Sequence, residues 1–213
     1  MLFRSRSVRV IDRPRAEQST LYVGRSVPDP TQPDYVALEV TNSLLAGSFH
    51  SRVTMNLRED KGYTYSPDSD VSLTPEQALW TFQADVTTEH TGDSLKEVFK
   101  EIRRMQTEPV PGEEAKGIRT YMAGLFAIMN STSGAVIGTL ATRDLLGLPA
   151  DWTERYVPAV LAVTPEQMMA FAKRGYPLDK LTLIVVGDLK TVVPQLKALP
   201  ELANVPMTTI TVP

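Results

Sequence analysis

The sequence predicts an α+β fold, a mixed β-sheet with helices packed on one face. Three observations predict it. β-branched or alternating runs lie near both ends of the chain, at 7–11, 19–23 and 181–186. Two more aromatic or alternating runs follow the first helix, at 63–72 and 78–87. Between these and the last strand stands a block of helical periodicity punctuated by proline and glycine.

Each element has its own reason. Pro28, Pro30 and Pro33 mark a loop, and Asp34 gives an acidic first turn to a helix that runs to Leu45 and ends at Gly47. Ser51 is placed to cap a short helix through Glu59. The strands at 63–72 and 78–87 are joined by a turn at Thr74-Pro75-Glu76. Leu95, Val98, Phe99, Ile102 and Met105 keep one-face helical spacing with charges opposite, until Pro109, Pro111 and Gly112. Helices are expected over 113–129 and 133–146, and another opens at Leu148-Pro149 and Asp151-Trp152 and ends before Val163. Tyr121, Met122, Leu125, Phe126 and Met129 have helical spacing and are expected in the core. Thr164 caps a helix over 165–174 with Pro165 at its first position. The strand at 181–186 is near-continuously apolar and is expected to be buried. A helix at 192–198 closes the core. The chain is expected to be a single domain over 1–213, with loose ends at 1–6 and 200–213.

Composition excludes several chemistries. Hydrophobic content of 42% and charge of 22% are ordinary globular values. With a net charge of -3, no nucleic-acid partner is expected; the arginines at 4, 6, 9, 13 and 15 lack interleaved aromatics. The absence of cysteine removes disulfides, thiolate metal sites and cysteine nucleophiles. No run of about 18 apolar residues exists, so no membrane span is expected. The first residues lack the apolar region of a signal peptide. Gly-x-Ser-x-Gly, a P-loop and G-x-G-x-x-G are absent. His50 and His90 are 40 residues apart and neither has Glu or His three or four positions on, so no metal site is expected in this chain. Asp68, Asp70 and Glu76 read as a solvated set. Asn130-Ser131-Thr132 matches a glycosylation sequon, but its helical context argues against use.

The stretch that carries chemistry is Leu57-Arg58-Glu59-Asp60-Lys61-Gly62-Tyr63-Thr64-Tyr65-Ser66. If a strand follows Gly62, Tyr63 and Tyr65 share one of its faces. Arg58 offers a rigid fork of donors and a tyrosine hydroxyl offers another. Donors of this kind converging on one oxygen can hold a peptide carbonyl or a developing oxyanion. A solvated helix end followed by an aromatic strand is the competing reading of the same residues.

The wider context is Asn42-Ser43-Leu44-Leu45-Ala46-Gly47-Ser48-Phe49-His50-Ser51-Arg52, then Met55-Asn56-Leu57-Arg58-Glu59-Asp60-Lys61-Gly62-Tyr63-Thr64-Tyr65. It resembles the C-terminal, zinc-free half of the pitrilysin/insulinase/mitochondrial processing peptidase superfamily. Asp12-Arg13-Pro14, Pro33-Asp34-Tyr35, Val163-Thr164-Pro165-Glu166-Gln167 and Val185-Val186-Gly187-Asp188 extend the resemblance over about residues 8 to 200. Ala46, His50 and Val53 depart from the family pattern.

The resemblance implies the half-molecule fold of that superfamily and a role in a zinc endopeptidase. It implies that Arg58 and Tyr65 bind the scissile carbonyl and stabilise the tetrahedral intermediate, and that Tyr63 packs. Gly47, Ser48 and Phe49 would line the substrate chamber. Zinc would come from a partner domain or chain bearing H-x-x-E-H, and the substrate would be a peptide or unfolded polypeptide. No cleavage is expected of this chain alone. The resemblance leaves open a fragment or a separate subunit, and inclines toward a bacterial periplasm or cell envelope. The alternatives are a non-proteolytic assembly subunit like the respiratory-complex core proteins, and a peptide-binding module that uses a sheet edge.

Overall fold

A computed structural model describes residues 6–74 and 77–211. The chain opens with β1 (Ser7–Asp12) and β2 (Gln18–Val27), then α1 (Tyr35–Leu45). A short helix, α2 (Arg52–Thr54), runs on as a π turn (Met55–Asp60) into a loop that leads to β3 (Asp68–Thr74) and β4 (Gln77–Thr87). The helical block follows: α3 (Thr91–Thr107), α4 (Gly112–Met129), α5 (Ser133–Leu145), α6 (Trp152–Ala162) and α7 (Pro165–Gly175). β5 (Thr182–Gly187), α8 (Leu189–Ala198) and β6 (Met207–Ile210) complete the described residues. Of the expected turn at Thr74-Pro75-Glu76, Pro75 and Glu76 lie outside the described residues, as do the first five residues of the expected loose N-terminal end.

The six strands form one mixed sheet in the order β3-β4-β2-β5-β1-β6. β1 pairs in parallel with β5 and β6, and the remaining pairs are antiparallel. Strict alternation along β4 turns Ala78, Trp80, Phe82, Ala84 and Val86 inward. Leu21 and Val23 of β2, Val8 and Val10 of β1, and Leu183 and Val185 of β5 line the same face. Against it lie the buried stripes of α1, α3 and α7, the five spaced residues of α3 among them. This is the α+β architecture expected.

Several expectations are corrected. Tyr63 to Pro67 is a loop, not the start of a strand, because the chain reverses at Gly62 (φ 66°) and pairs with β4 through an isolated bridge of Thr64 to Val86. β5 is buried on one face only, since its outward residues Ile184 and Val186 have no helical layer above them. In α4 only Met122 of the expected core stripe is buried; Tyr121, Leu125 and Met129 are exposed, because α5 and α6 leave that side open. The described residues after Leu199 are held in place: Leu202 is buried and β6 adds an edge to β1. Arg6, expected to be loose, is anchored by its side chain to the carbonyls of Leu178 and Glu201.

Asn130 sits at the α4–α5 corner rather than in a helix, bonded to the Phe126 carbonyl at 2.9 Å and accepting from Thr139 at 2.7 Å. Among the described residues no single helix is long and apolar enough to cross a membrane; α4 and α5 are apolar together but bent by 111°.

Candidate functional site

The site is a lip between the end of α1 and the start of β3. Its foundation is Asn42. The Asn42 carboxamide oxygen accepts from Trp80 Nε1 at 2.7 Å and from Ser69 Oγ at 2.6 Å, and its amide donates to the Ser69 carbonyl at 3.3 Å. One buried side chain therefore ties α1 to β3 and β4. Gly47 passes so close to it that an added Cβ would lie 2.7 Å from the Asn42 amide nitrogen and 3.1 Å from the Ser69 carbonyl oxygen. Gly47 is thus fixed by packing, and it does not line the neighbouring cavity. Ser48 and Phe49 do line it, with Leu44, His50, Glu114 and Tyr121, around about 300 Å³.

The next turn is pinned as firmly. Ser51 caps α2, accepting from the Thr54 amide at 3.3 Å and donating to its hydroxyl at 2.9 Å. Arg52, with a side chain only 8% exposed, makes a two-pronged pair with Glu114 of α4 at 2.8 and 2.6 Å. Asn56 donates to Glu97 at 2.8 Å and to buried Glu101 at 2.9 Å, both on α3. Between these anchors the helix widens into its π turn, with Lys61 N–H donating to the Asn56 carbonyl at 3.1 Å. A π turn holds more residues than an α turn, so it re-aims the side chains that follow it.

Arg58 sits on that turn. Its guanidinium carbon lies 4.6 Å from the Phe49 ring centre and 4.6 Å from the Tyr65 ring centre. The two rings clasp the cation through their negative faces. Nε lies 3.3 Å from Glu59, and neither terminal nitrogen of Arg58 is hydrogen-bonded among the described residues. Gly62 adopts a left-handed conformation that brings the chain back, with Tyr63 N–H donating to the Leu57 carbonyl at 2.9 Å, so Tyr65 returns to Arg58. Tyr65 is 77% exposed and Phe49 55% exposed. Tyr63 stacks on His90 at 4.2 Å, in the packing role expected of it.

The structure therefore brings Arg58 and Tyr65 together on an open surface, on a π turn and a loop rather than on an α-helix and a strand. It adds Phe49 as the second face of the clasp. The sequence gives no local sign of that pairing, since Phe49 lies in the turn before α2 and meets Arg58 only across α2 and the π turn. Sequence reading also missed Asn42, whose signal was a polar residue at a buried position of an apolar helix. Among the described residues no group of three or more His, Asp or Glu side chains is placed to hold a metal. His50 packs edge-on to Phe49 at 5.2 Å, and His90 lies against Tyr63 and Asp93.

Comparison with known proteins follows the same lines. The profile of the family described as the peptidase M16 inactive domain matches residues 2–122. The non-peptidase homolog YmxG of Helicobacter pylori is 24% identical over 180 residues, covering 82% of this chain and 40% of that protein. Among solved structures, a peptidase M16 inactive domain from Pseudomonas fluorescens superposes with a TM-score of 0.76 at 22% identity, covering 85% of this chain and 44% of that one. A chain of complex III2 from Candida albicans superposes with a TM-score of 0.73 at 13% identity, covering 90% of this chain and 48% of that one. This chain thus spans less than half the length of each of these relatives.

Proposed function

Because the chain belongs to the peptidase M16 inactive-domain family, we propose that it is the zinc-free half of a two-half metalloendopeptidase, with Arg58 and Tyr65 completing a site whose metal is carried by a partner. The observation that carries this reading is the clasp itself. An arginine held by two aromatic faces keeps its terminal donors available, and the neighbouring phenol is open to solvent. An extended peptide laid across the lip would offer its carbonyl oxygen to both. As that carbon becomes tetrahedral its oxygen gains negative charge, and preoriented donors bind the charged form more strongly than the carbonyl. Ser48 and Phe49 would contact the flanking residues of the peptide. The metal and its glutamate base would come from an H-x-x-E-H half, which the short span of the chain relative to its relatives supports.

A second reading is favoured by the likeness to a non-peptidase homolog and to a chain of complex III2. In it the fold is retained as an assembly subunit, and the clasp only stiffens the loop. Kinetics separates the two. In enzyme reconstituted with the H-x-x-E-H half, Tyr65→Phe removes one donor and keeps the ring. The expected result is a fall in kcat of roughly 10²-fold with a smaller change in KM. Arg58→Lys should also be harmful, since a point charge cannot replace the fork. Full activity in both variants would leave the assembly role standing and remove the catalytic one.

A further inference from the structure

A second cavity lies on the other side of α1, away from the lip. It occupies about 500 Å³ between α1, α4, α5 and α6. Its wall is apolar and aromatic: Phe126, Trp152, Tyr156 and Leu146 all face it. The rings form a continuous surface, with Phe126 and Tyr156 centres 4.7 Å apart and Trp152 and Tyr156 centres 5.1 Å apart. One carboxylate side chain, Glu39, is among the lining residues. Glu39 Oε1 accepts from the Tyr35 hydroxyl at 3.1 Å, and the Tyr156 hydroxyl stands close enough to the carboxyl to favour its charged form, whereas Oε2 is enclosed and meets no donor in hydrogen-bonding geometry among the described residues. An enclosed carboxylate oxygen without a donor is unfavourable, and native folds rarely leave one so.

We propose that this cavity binds a small apolar amine, an arylalkyl- or alkylammonium ion whose charge is met by the Glu39 carboxylate and whose body lies against Phe126, Tyr156 and Trp152. Size, shape and charge agree. The volume suits a compact organic ligand, and aromatic faces beside a carboxylate stabilise a cation twice over. The other charged groups do not compete. Arg143, which also lines the cavity, spends its guanidinium on Asp144 and on the Ala150 carbonyl. Tyr35 and Tyr156 are both raised by burial and stay neutral, and Asp70 reaches the site only through its effect on Tyr35. Burial pushes the Glu39 carboxyl up to about 7, so binding should strengthen as pH rises through that value.

Phenethylamine and its neutral isostere 2-phenylethanol test this on the purified chain, read by the indole N–H resonances of the two tryptophans. Trp152 lines the cavity, whereas Trp80 is buried elsewhere and bonded to Asn42, so it serves as the internal control. At pH 8 the amine should shift Trp152 saturably, with an affinity about tenfold above the alcohol. The preference should vanish in Glu39→Gln and, in the unmodified chain, below pH 6. Gly138→Leu adds a side chain to the cavity lining from a position where a Cβ meets nothing within 4 Å. It should abolish the Trp152 shift and leave the Trp80 resonance in place. No Trp152 shift, equal affinities, or an amine preference that survives Glu39→Gln would each overturn the proposal. If Glu39→Gln does not fold, the pH profile and Gly138→Leu decide it. An amine preference that persists below pH 6, or a Trp152 shift that survives Gly138→Leu, would equally overturn it.

Discussion

Around Arg58 the chain is held by polar bonds that run into the core, whereas from α4 to α6 it carries apolar side chains outward. On the lip, Asn42, Arg52 and Asn56 each bond to a different element, to the sheet, to α4 and to α3. On the helical arm, α5 buries no residue at all, and Ile128, Ile137 and Leu145 stand open to solvent. Polar anchors fix a geometry with nothing else present, because a misplaced group would lose its partner at a cost of about 1–3 kcal/mol. Exposed apolar side chains fix nothing until something covers them, and contiguous patches of this kind mark interaction surfaces. The lip is thus preformed within this chain, and the arm is the surface suited to a second body.

Three variants would sharpen or break that contrast. The largest effect is expected on the lip: Asn42→Ala strands the Trp80 indole N–H and the Ser69 hydroxyl, and should cost about 2–3 kcal/mol in urea unfolding. At the seam between the two regions, Glu39→Gln should act with the opposite sign. Its folded carboxyl is raised to about 7 while the unfolded value is near 4.5, so the folded state binds the extra proton. The Glu39 contribution is most favourable below the unfolded value and is lost as pH rises through about 7. Glu39→Gln should therefore be more stable than the parent at pH 8 by about 1–2 kcal/mol, with the gap closing near pH 4. The smallest effect is expected on the arm, where paired Ile137→Ser and Leu145→Ser should change unfolding by no more than about 0.5 kcal/mol. The same pair should weaken association with the proposed H-x-x-E-H half in a pull-down or titration. An arm pair that destabilises the isolated chain as much as Asn42→Ala would end the distinction between the regions.

What sequence could reveal divides along the same line. The stripe of α3 was legible because each of its apolar positions is covered by this chain's own sheet and helices. The cap of α7 was legible because Thr164 and Gln167 act over three residues, forming a reciprocal capping box. The stripe of α4 had the same period and a different fate, since periodicity says that a face is apolar and not what lies on it. β6 was illegible for a related reason: four residues after a proline become a strand only by pairing with β1. The Arg58–Tyr65 pair was visible as a motif, but the π turn, the reversal at Gly62 and the arrival of Phe49 depend on contacts from outside the motif.

The place of β1 in the sheet has a consequence for biosynthesis. Both its neighbours, β5 and β6, come from the far end of the chain, with Ser7 paired to Thr182 and Val8 to Met207. On the ribosome β2, β3 and β4 with α1 to α3 can assemble as soon as they emerge, but β1 must wait for β5 and β6 with its valines unpaired. Such long-range closure slows folding and leaves an apolar strand edge exposed to other nascent chains. Within this sheet the capture of β1 therefore comes late, and a ribosome that stalls before β5 leaves β1 without both neighbours.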